Sequence, residues 1–114
     1  MVGAPNRGLP AMFAMMNAAR LGVAMQGVAV AERAFRRAVD FAGQRPQGGA
    51  MIDRHPDVRR MLLTMRAYTE GCRAMASVAA AAYDASHHHP DAEVRKQNQA
   101  FYEFMVPLVK GYST

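Results

Sequence analysis

Tryptophan is absent from these 114 residues, and cysteine occurs once, at Cys72. A single thiol excludes an intrachain disulfide and fits a reducing compartment. Residues 12–42 contain no proline and none of the apolar–polar alternation of a strand. Without strands there is no glycine-rich phosphate loop of the strand–loop–helix kind. No stretch reads as long and apolar enough to span a bilayer, because Arg20 and Arg33 interrupt the best one. The opening residues, MVGAPNRGLP, lack the basic-then-apolar order of a secretory signal. These absences lead to the expectation of a cytoplasmic, all-α, single domain covering residues 1–114, with no membrane partner.

What is present fits that class. Ten methionines and many alanines favour helix, and a 51% apolar content is enough for a core, though a chain this small buries a modest share of its surface. The formal net charge of +5 favours anionic partners such as nucleic acid, anionic membrane or phosphate-bearing cofactors. The basic residues are spread along helices and do not form a tail, which also suits a solvated face.

The spacing predicts three helices. In the first, from about Pro10 to Gly43, Leu21, Met25, Val28, Phe35 and Val39 share one face, with Glu32 as its polar interruption. Gly22 and Gly27 each cost roughly 1 kcal/mol in a helix interior, which makes sense where another helix or a ligand passes close to the backbone. Residues 44–54 carry Pro46, Gly48 and Gly49 and read as a loop. Pro56 and Asp57 open the second helix, whose seam is Val58, Leu62, Met65, Thr69, Cys72, Ala76, Ala79 and Tyr83. Residues 86–90 break the chain, and a third helix begins near Asp91 with Val94, Gln97, Phe101, Phe104 and Leu108 on one side. Pro107 is expected to kink or weaken it. Short loops make sequential helices antiparallel, so the expected fold is three long antiparallel helices with one side poorly covered. Met61, Tyr68 and Met75 form a second apolar line on the second helix, and Met12, Met16, Val23 and Val30 lie off the main line of the first. A three-helix monomer cannot cover both, so a two-fold homodimer is expected.

Candidate chemistry is sparse. His87, His88 and His89 are adjacent and cannot easily converge on one metal, so no metal site is expected. Cys72 falls on a packed seam and reads as a buried thiol. Glu70 has Arg66 and Arg73 a turn away, and surface ion pairing accounts for it. Arg45 follows a long helix in a proline- and glycine-rich loop. It reads either as a solvated charge or as a guanidinium reaching a phosphate or pyrophosphate. These residues alone assign no function.

Residue order says more. The run from Val2 to Gly48, then HPDVRRMLLTMRAYTEGCRAM and finally PLVKGYST, resembles the C-terminal helical domain of FAD-dependent acyl-CoA dehydrogenases, in the branch that includes 3-methylmercaptopropionyl-CoA dehydrogenase. The resemblance covers nearly the whole chain. It implies a partial four-helix up-and-down bundle, a homodimer or tetramer, and a parent enzyme that oxidises the α,β bond of an acyl-CoA thioester. Electrons would pass to FAD and then to an electron-acceptor flavoprotein.

The resemblance also implies roles for particular residues. Asn17 and Arg20 stand where the family's first helix contacts acyl-CoA, with Asn17 where relatives often have Asp. Arg45 stands where an arginine reaches the FAD pyrophosphate of a neighbouring subunit, although the usual Arg-x-x-Phe-Gly is shortened and lacks its Phe. His55 stands where a His-Gln pair contacts the flavin; here the pair reads His55–Pro56, and the amide is lost. No catalytic residue can be carried over. The base position immediately before the arginine of the first helix is Ala19, and Glu70–Gly71 echoes the other base motif in the wrong helix. Proton abstraction needs a base within reach of the substrate, so a truncated domain, inactive alone and binding no FAD by itself, is expected. The alternatives are a stand-alone helical oligomerisation or regulatory module, or a basic nucleic-acid-binding bundle. The last rests on charge alone, without a helix-turn-helix or stacking pattern.

Overall fold

The structure, a computed structural model, describes residues 5–114. Helix α1 runs Gly8–Gln44, α2 Pro56–His88 and α3 Ala92–Ser113. Three of the boundaries are set by the same local rule. The residue before a proline clashes with its ring in the helical region and is pushed to extended backbone. Arg45 before Pro46, His55 before Pro56 and His89 before Pro90 all take extended angles, with ψ of 109°, 131° and 137°. Asp91 then caps α3 by accepting from the Glu93 N–H at 2.8 Å. Pro107 behaves differently: it lies inside α3, which continues past it to Ser113. The lost bond is to the carbonyl of Glu103, and both residues are exposed, so water can take its place.

The expected loop 44–54 contains a strand pair, contrary to the reading that the chain has none. Strands β1 (Pro46–Gln47) and β2 (Ala50–Met51) pair antiparallel, Pro46 with Met51 and Gln47 with Ala50. Two-residue strands are too short to show an alternating pattern. Gly48 and Gly49 have φ of +63° and +84°, the left-handed pair that a tight two-residue hairpin turn demands. A 3-10 turn, Ile52–Arg54, leads into α2.

The helices pack through small side chains. Ala24, Ala76, Ala79 and Val109 form one buried cluster, with Leu21, Met75 and Met105 against it. Ala82, Tyr102 and Val106 form a second. The expected α2 seam is present: Thr69, Cys72, Ala76 and Ala79 are buried, and Val58, Leu62 and Met65 half-buried. It shifts by one residue at its end, where Ala82 is buried and Tyr83 is exposed. On α1 the buried residues are Ala24, Val28 and Ala42, with Leu21, Ala31, Phe35 and Ala38 half-buried, whereas Met25 and Val39 face out. The expected α3 face is overturned. Tyr102, Val106 and Val109 are buried, while Phe101, Phe104 and Leu108 are exposed and Val94 and Gln97 lie at or near the surface. Pattern reading gave the core to the largest side chains, but closely spaced helices have room for the small ones.

Gly27 marks the closest approach. A Cβ there would overlap the Ser113 carbonyl at the end of α3, so the expectation of a helix passing close holds at Gly27. It fails at Gly22, which faces open space. Because α3 ends over Gly27, the rest of α1 and α2 towards the hairpin has no third helix on it among the described residues. Glu32 ties these two arms together, accepting from Arg36 at 2.6 Å and from Arg73 of α2 at 2.6 Å. These hydrogen bonds, Arg36 first and Arg73 second, hold its carboxyl below the usual value of 4.5. Arg73 therefore serves Glu32, and Glu70 pairs with Arg66 alone, at 2.8 Å.

The result is an elongated slab of 69 × 34 × 17 Å with a radius of gyration of 19.9 Å, against about 13 Å for a compact chain of this length. By length and composition alone, α1 is apolar enough to cross a membrane, contrary to the sequence reading. Its cross-helix ion pair and its alanine seam show it packed on α2 and α3.

Two outcomes follow for stability. Gly22→Ala should raise the thermal midpoint, by up to about 1 kcal/mol of helix propensity, whereas Gly27→Ala should lower it by displacing the last turn of α3. Equal shifts would disprove the close contact. Glu32 has a depressed folded pKa, so its contribution is present above 4.5 and lost as pH falls through the lowered value. Glu32→Gln should therefore melt below wild type at neutral pH, and the gap should narrow in acid below 4.5.

Candidate functional site

The sequence-predicted site residues fall at two places. Asn17 and Arg20 lie one turn apart on α1, and the Arg20 Nη1 donates to Asn17 Oδ1 at 3.1 Å. The Asn17 carbonyl accepts from the Tyr102 hydroxyl at 3.2 Å, which fixes α3 to this end of α1. Tyr102 is buried, and burial first, then the neighbouring Tyr83, raises its pKa above the ordinary 10. Tyr83 packs at a tilt against Tyr102, with ring centroids 5.1 Å apart, and against His87 at 4.2 Å. Beside them is an apolar recess of about 390 Å³ lined by Ala18, Leu21, Gly22, Met25, Tyr83 and Tyr102. The sequence reading missed Tyr102 because it assigned the adjacent Phe101 to the core.

Arg45 and His55 lie at the other end, in the hairpin unit, and the fold brings these two together. The Arg45 N–H donates to the Phe41 carbonyl at 3.0 Å, and its own carbonyl accepts from the Ile52 N–H at 2.9 Å. Its backbone is thus held on both sides while its side chain is exposed, and it takes part in none of the ion pairs among the described residues. The half-buried His55 ring points back at the hairpin, with Nε2 3.0 Å from the Gln47 carbonyl. An open groove of about 590 Å³ lies nearby, with an apolar floor that includes Phe35, Val39, Leu62 and Leu63, and with Arg59 and Arg66 at its edge. Along the helix, the 25 residues from Arg20 to Arg45 correspond to about 37 Å. The two patches therefore do not converge within one chain.

The remaining candidates have local roles. Cys72 is buried, its thiol 3.7 Å from the Tyr112 carbonyl. His87 and His88 belong to the last turn of α2 and not to the break. His87 Nδ1 lies 2.9 Å from the Tyr83 carbonyl, and His89 Nδ1 accepts from the Asp91 N–H at 3.2 Å. Among the described residues, no three His, Cys, Asp or Glu side chains gather closely enough to hold a metal ion.

Comparison with known proteins gives a consistent set of matches. The model of the acyl-CoA dehydrogenase C-terminal domain matches residues 6–100. The chain is similar over its whole length to a 3-methylmercaptopropionyl-CoA dehydrogenase of Ruegeria pomeroyi, at 48% identity, covering 21% of that protein. It is 32% identical to a broad-specificity linear acyl-CoA dehydrogenase of Mycobacterium tuberculosis, over 97% of this chain and 20% of the relative. A butyryl-CoA dehydrogenase of Syntrophomonas wolfei is 30% identical over 93% of this chain and 19% of its own. The chain thus spans about a fifth of the length of the curated relatives it matches. No solved structure matches it.

Proposed function

The chain belongs to the family of acyl-CoA dehydrogenase C-terminal domains, and from that premise we propose that it does the binding and assembly work of such a domain within an FAD-dependent acyl-CoA dehydrogenase. FAD, when bound, supplies the acceptor for the hydride lost as the α,β bond of an acyl-CoA is oxidised. Arg45 takes the pyrophosphate of FAD, with His55 in the same hairpin unit. Asn17 and Arg20 contact the acyl-CoA. The electron-acceptor flavoprotein is a partner of the assembled enzyme, and the working compartment is the cytoplasm.

The observation that carries this reading is Arg45. Arg33, Arg37 and Arg59 are also exposed and outside every ion pair among the described residues, but Arg45 alone of these four stands at the mouth of the hairpin, with His55 beside it, and an exposed guanidinium there is suited to an anionic group of pyrophosphate type. Neither position at which the resemblance places a base is suited to proton abstraction. The residue before Arg20 is Ala19, and Glu70 is exposed on α2 and paired with Arg66. That chemistry therefore belongs to other parts of the enzyme.

Surface area supports assembly. The accessible surface is 8213 Å², against about 6,200 Å² for a compact monomer of this mass. The excess, about 2,000 Å², is what a stable protein–protein interface covers. Phe41, Leu63, Phe104 and Val30, each more than 60% exposed, belong to it. A homodimer or tetramer covers such faces. The same exposure also suits a stand-alone oligomerisation module, which would have no use for Arg45 as an anion contact.

Two measurements test the reading. A chimera of the Ruegeria relative carrying this chain in place of its matching segment should lose FAD about tenfold more readily on Arg45→Ala, and hardly at all on Arg36→Ala, whose side chain is 76% exposed and paired with Glu32. Equal effects would reduce Arg45 to a surface charge. Light scattering of the purified chain at micromolar concentration should show a dimer or tetramer; a stable monomer of 12.5 kDa would contradict the assembly role.

A further inference from the structure

We infer that His55 is a positioning residue: its ring clasps the hairpin that directly follows Arg45 and so fixes where the guanidinium stands. The inference rests on the reading of Arg45 as the anion contact given above. Its geometric basis is independent of that reading. The hairpin has only two residues per strand, and a two-stranded pair of that size is not stable on its own in water. Two glycines with positive φ form its tip, where backbone freedom in the unbound chain is greatest. Something outside the hairpin has to hold it.

His55 supplies that hold. It is the last residue before α2, with its own backbone set by Pro56 and its N–H donating to the Ile52 carbonyl at 3.1 Å. From this anchored base the ring reaches back over the turn. Nε2 lies 3.0 Å from the Gln47 carbonyl, and Cε1 lies against Gly48, 3.5 Å from where a Cβ would stand. A carbonyl only accepts, so Nε2 must carry the proton and the ring must be the Nε2–H tautomer. The bond ties the end of β1 to the start of α2. The loop it closes, residues 47–55, contains Ile52, whose N–H holds the Arg45 carbonyl just outside it. Without the clasp, the hairpin is left with its short ladder, and Arg45 loses the carbonyl-side half of its fixation.

The test uses this chain with inorganic pyrophosphate as the probe, and the variants His55→Ala, His55→Gln and Arg45→Ala. A Gln amide can offer a donor near the position of Nε2. Expected for His55→Ala is exchange of the Ile52 amide faster by about fivefold or more, and pyrophosphate affinity lower by about the same factor, with helical circular dichroism unchanged. His55→Gln should restore both. The imidazole nitrogen shifts of the wild-type chain should show the Nε2–H tautomer; the Nδ1–H tautomer would overturn the clasp. Unchanged Ile52 exchange in His55→Ala would also overturn it, as would a general loss of helix. Faster exchange with wild-type pyrophosphate affinity would overturn the positioning role. If Arg45→Ala binds pyrophosphate as well as wild type, or wild type does not bind it, the reading of Arg45 fails, and Ile52 exchange still decides whether His55 holds the hairpin.

Discussion

Close approach of helices through alanine is the constraint on which the rest of this structure depends. Ala24 on α1 meets Ala76 and Ala79 on α2 and Val109 on α3, and Gly27 leaves room for the end of α3. Helix separation is set by the side chains at the contact, so a seam of this kind holds the axes near their minimum spacing. It also contributes little hydrophobic stabilisation per residue, at about 0.8 kcal/mol for each buried methylene-sized group. The larger apolar side chains, among them Phe101, Phe104 and Leu108, are displaced outwards by the same geometry. A partner that covered those side chains would add to stability and make it depend on protomer concentration.

How much of this was legible in the sequence follows from the same constraint. The α2 seam was readable through Ala79 because its spacing stays regular from Val58 onward. On α1 the expected face is right at Leu21, Val28 and Phe35 and wrong at Met25 and Val39, and on α3 it is misassigned, because hydrophobic periodicity weights residues by size, and Met25, Val39, Phe101 and Phe104 outweigh Ala24, Ala31, Ala38 and Val106 in any such reading. Helix boundaries were legible because three rest on pre-proline geometry, which needs no tertiary context. The hairpin was not, since strands of two residues leave no pattern. His55 and Arg45 could be named from a resemblance, but the contact of the His55 ring with Gln47 depends on the turn that Gly48 and Gly49 make.

Charge shows the same difference between order along the chain and order in space. Along the sequence the basic residues look dispersed. The antiparallel pairing of α1 and α2 folds residues 32–73, with nine arginines and five acidic residues, into one arm of the molecule. Glu32, Asp57 and Glu70 are engaged by Arg36, Arg73, Arg60 and Arg66. Arg33, Arg37, Arg45 and Arg59 take part in no ion pair among the described residues. The positive potential is thereby concentrated towards the hairpin end, where it raises the local concentration of anions and speeds their encounter. The other arm, with Asn17 and Arg20, is close to neutral apart from Arg20 itself.

The two candidate patches sit on one continuous helix about 37 Å apart, and a straight helix cannot fold to bring them together. One chain therefore holds them as two separate patches. A two-fold axis crossing α1 between the patches would reverse one copy against the other and bring the Arg45 end of each towards the Asn17 end of its partner. An isologous interface has this property: what one surface gives to its partner it also receives. The exposed residues along α1, including Met25, Val30 and Val39, lie between the patches, where such an interface would close.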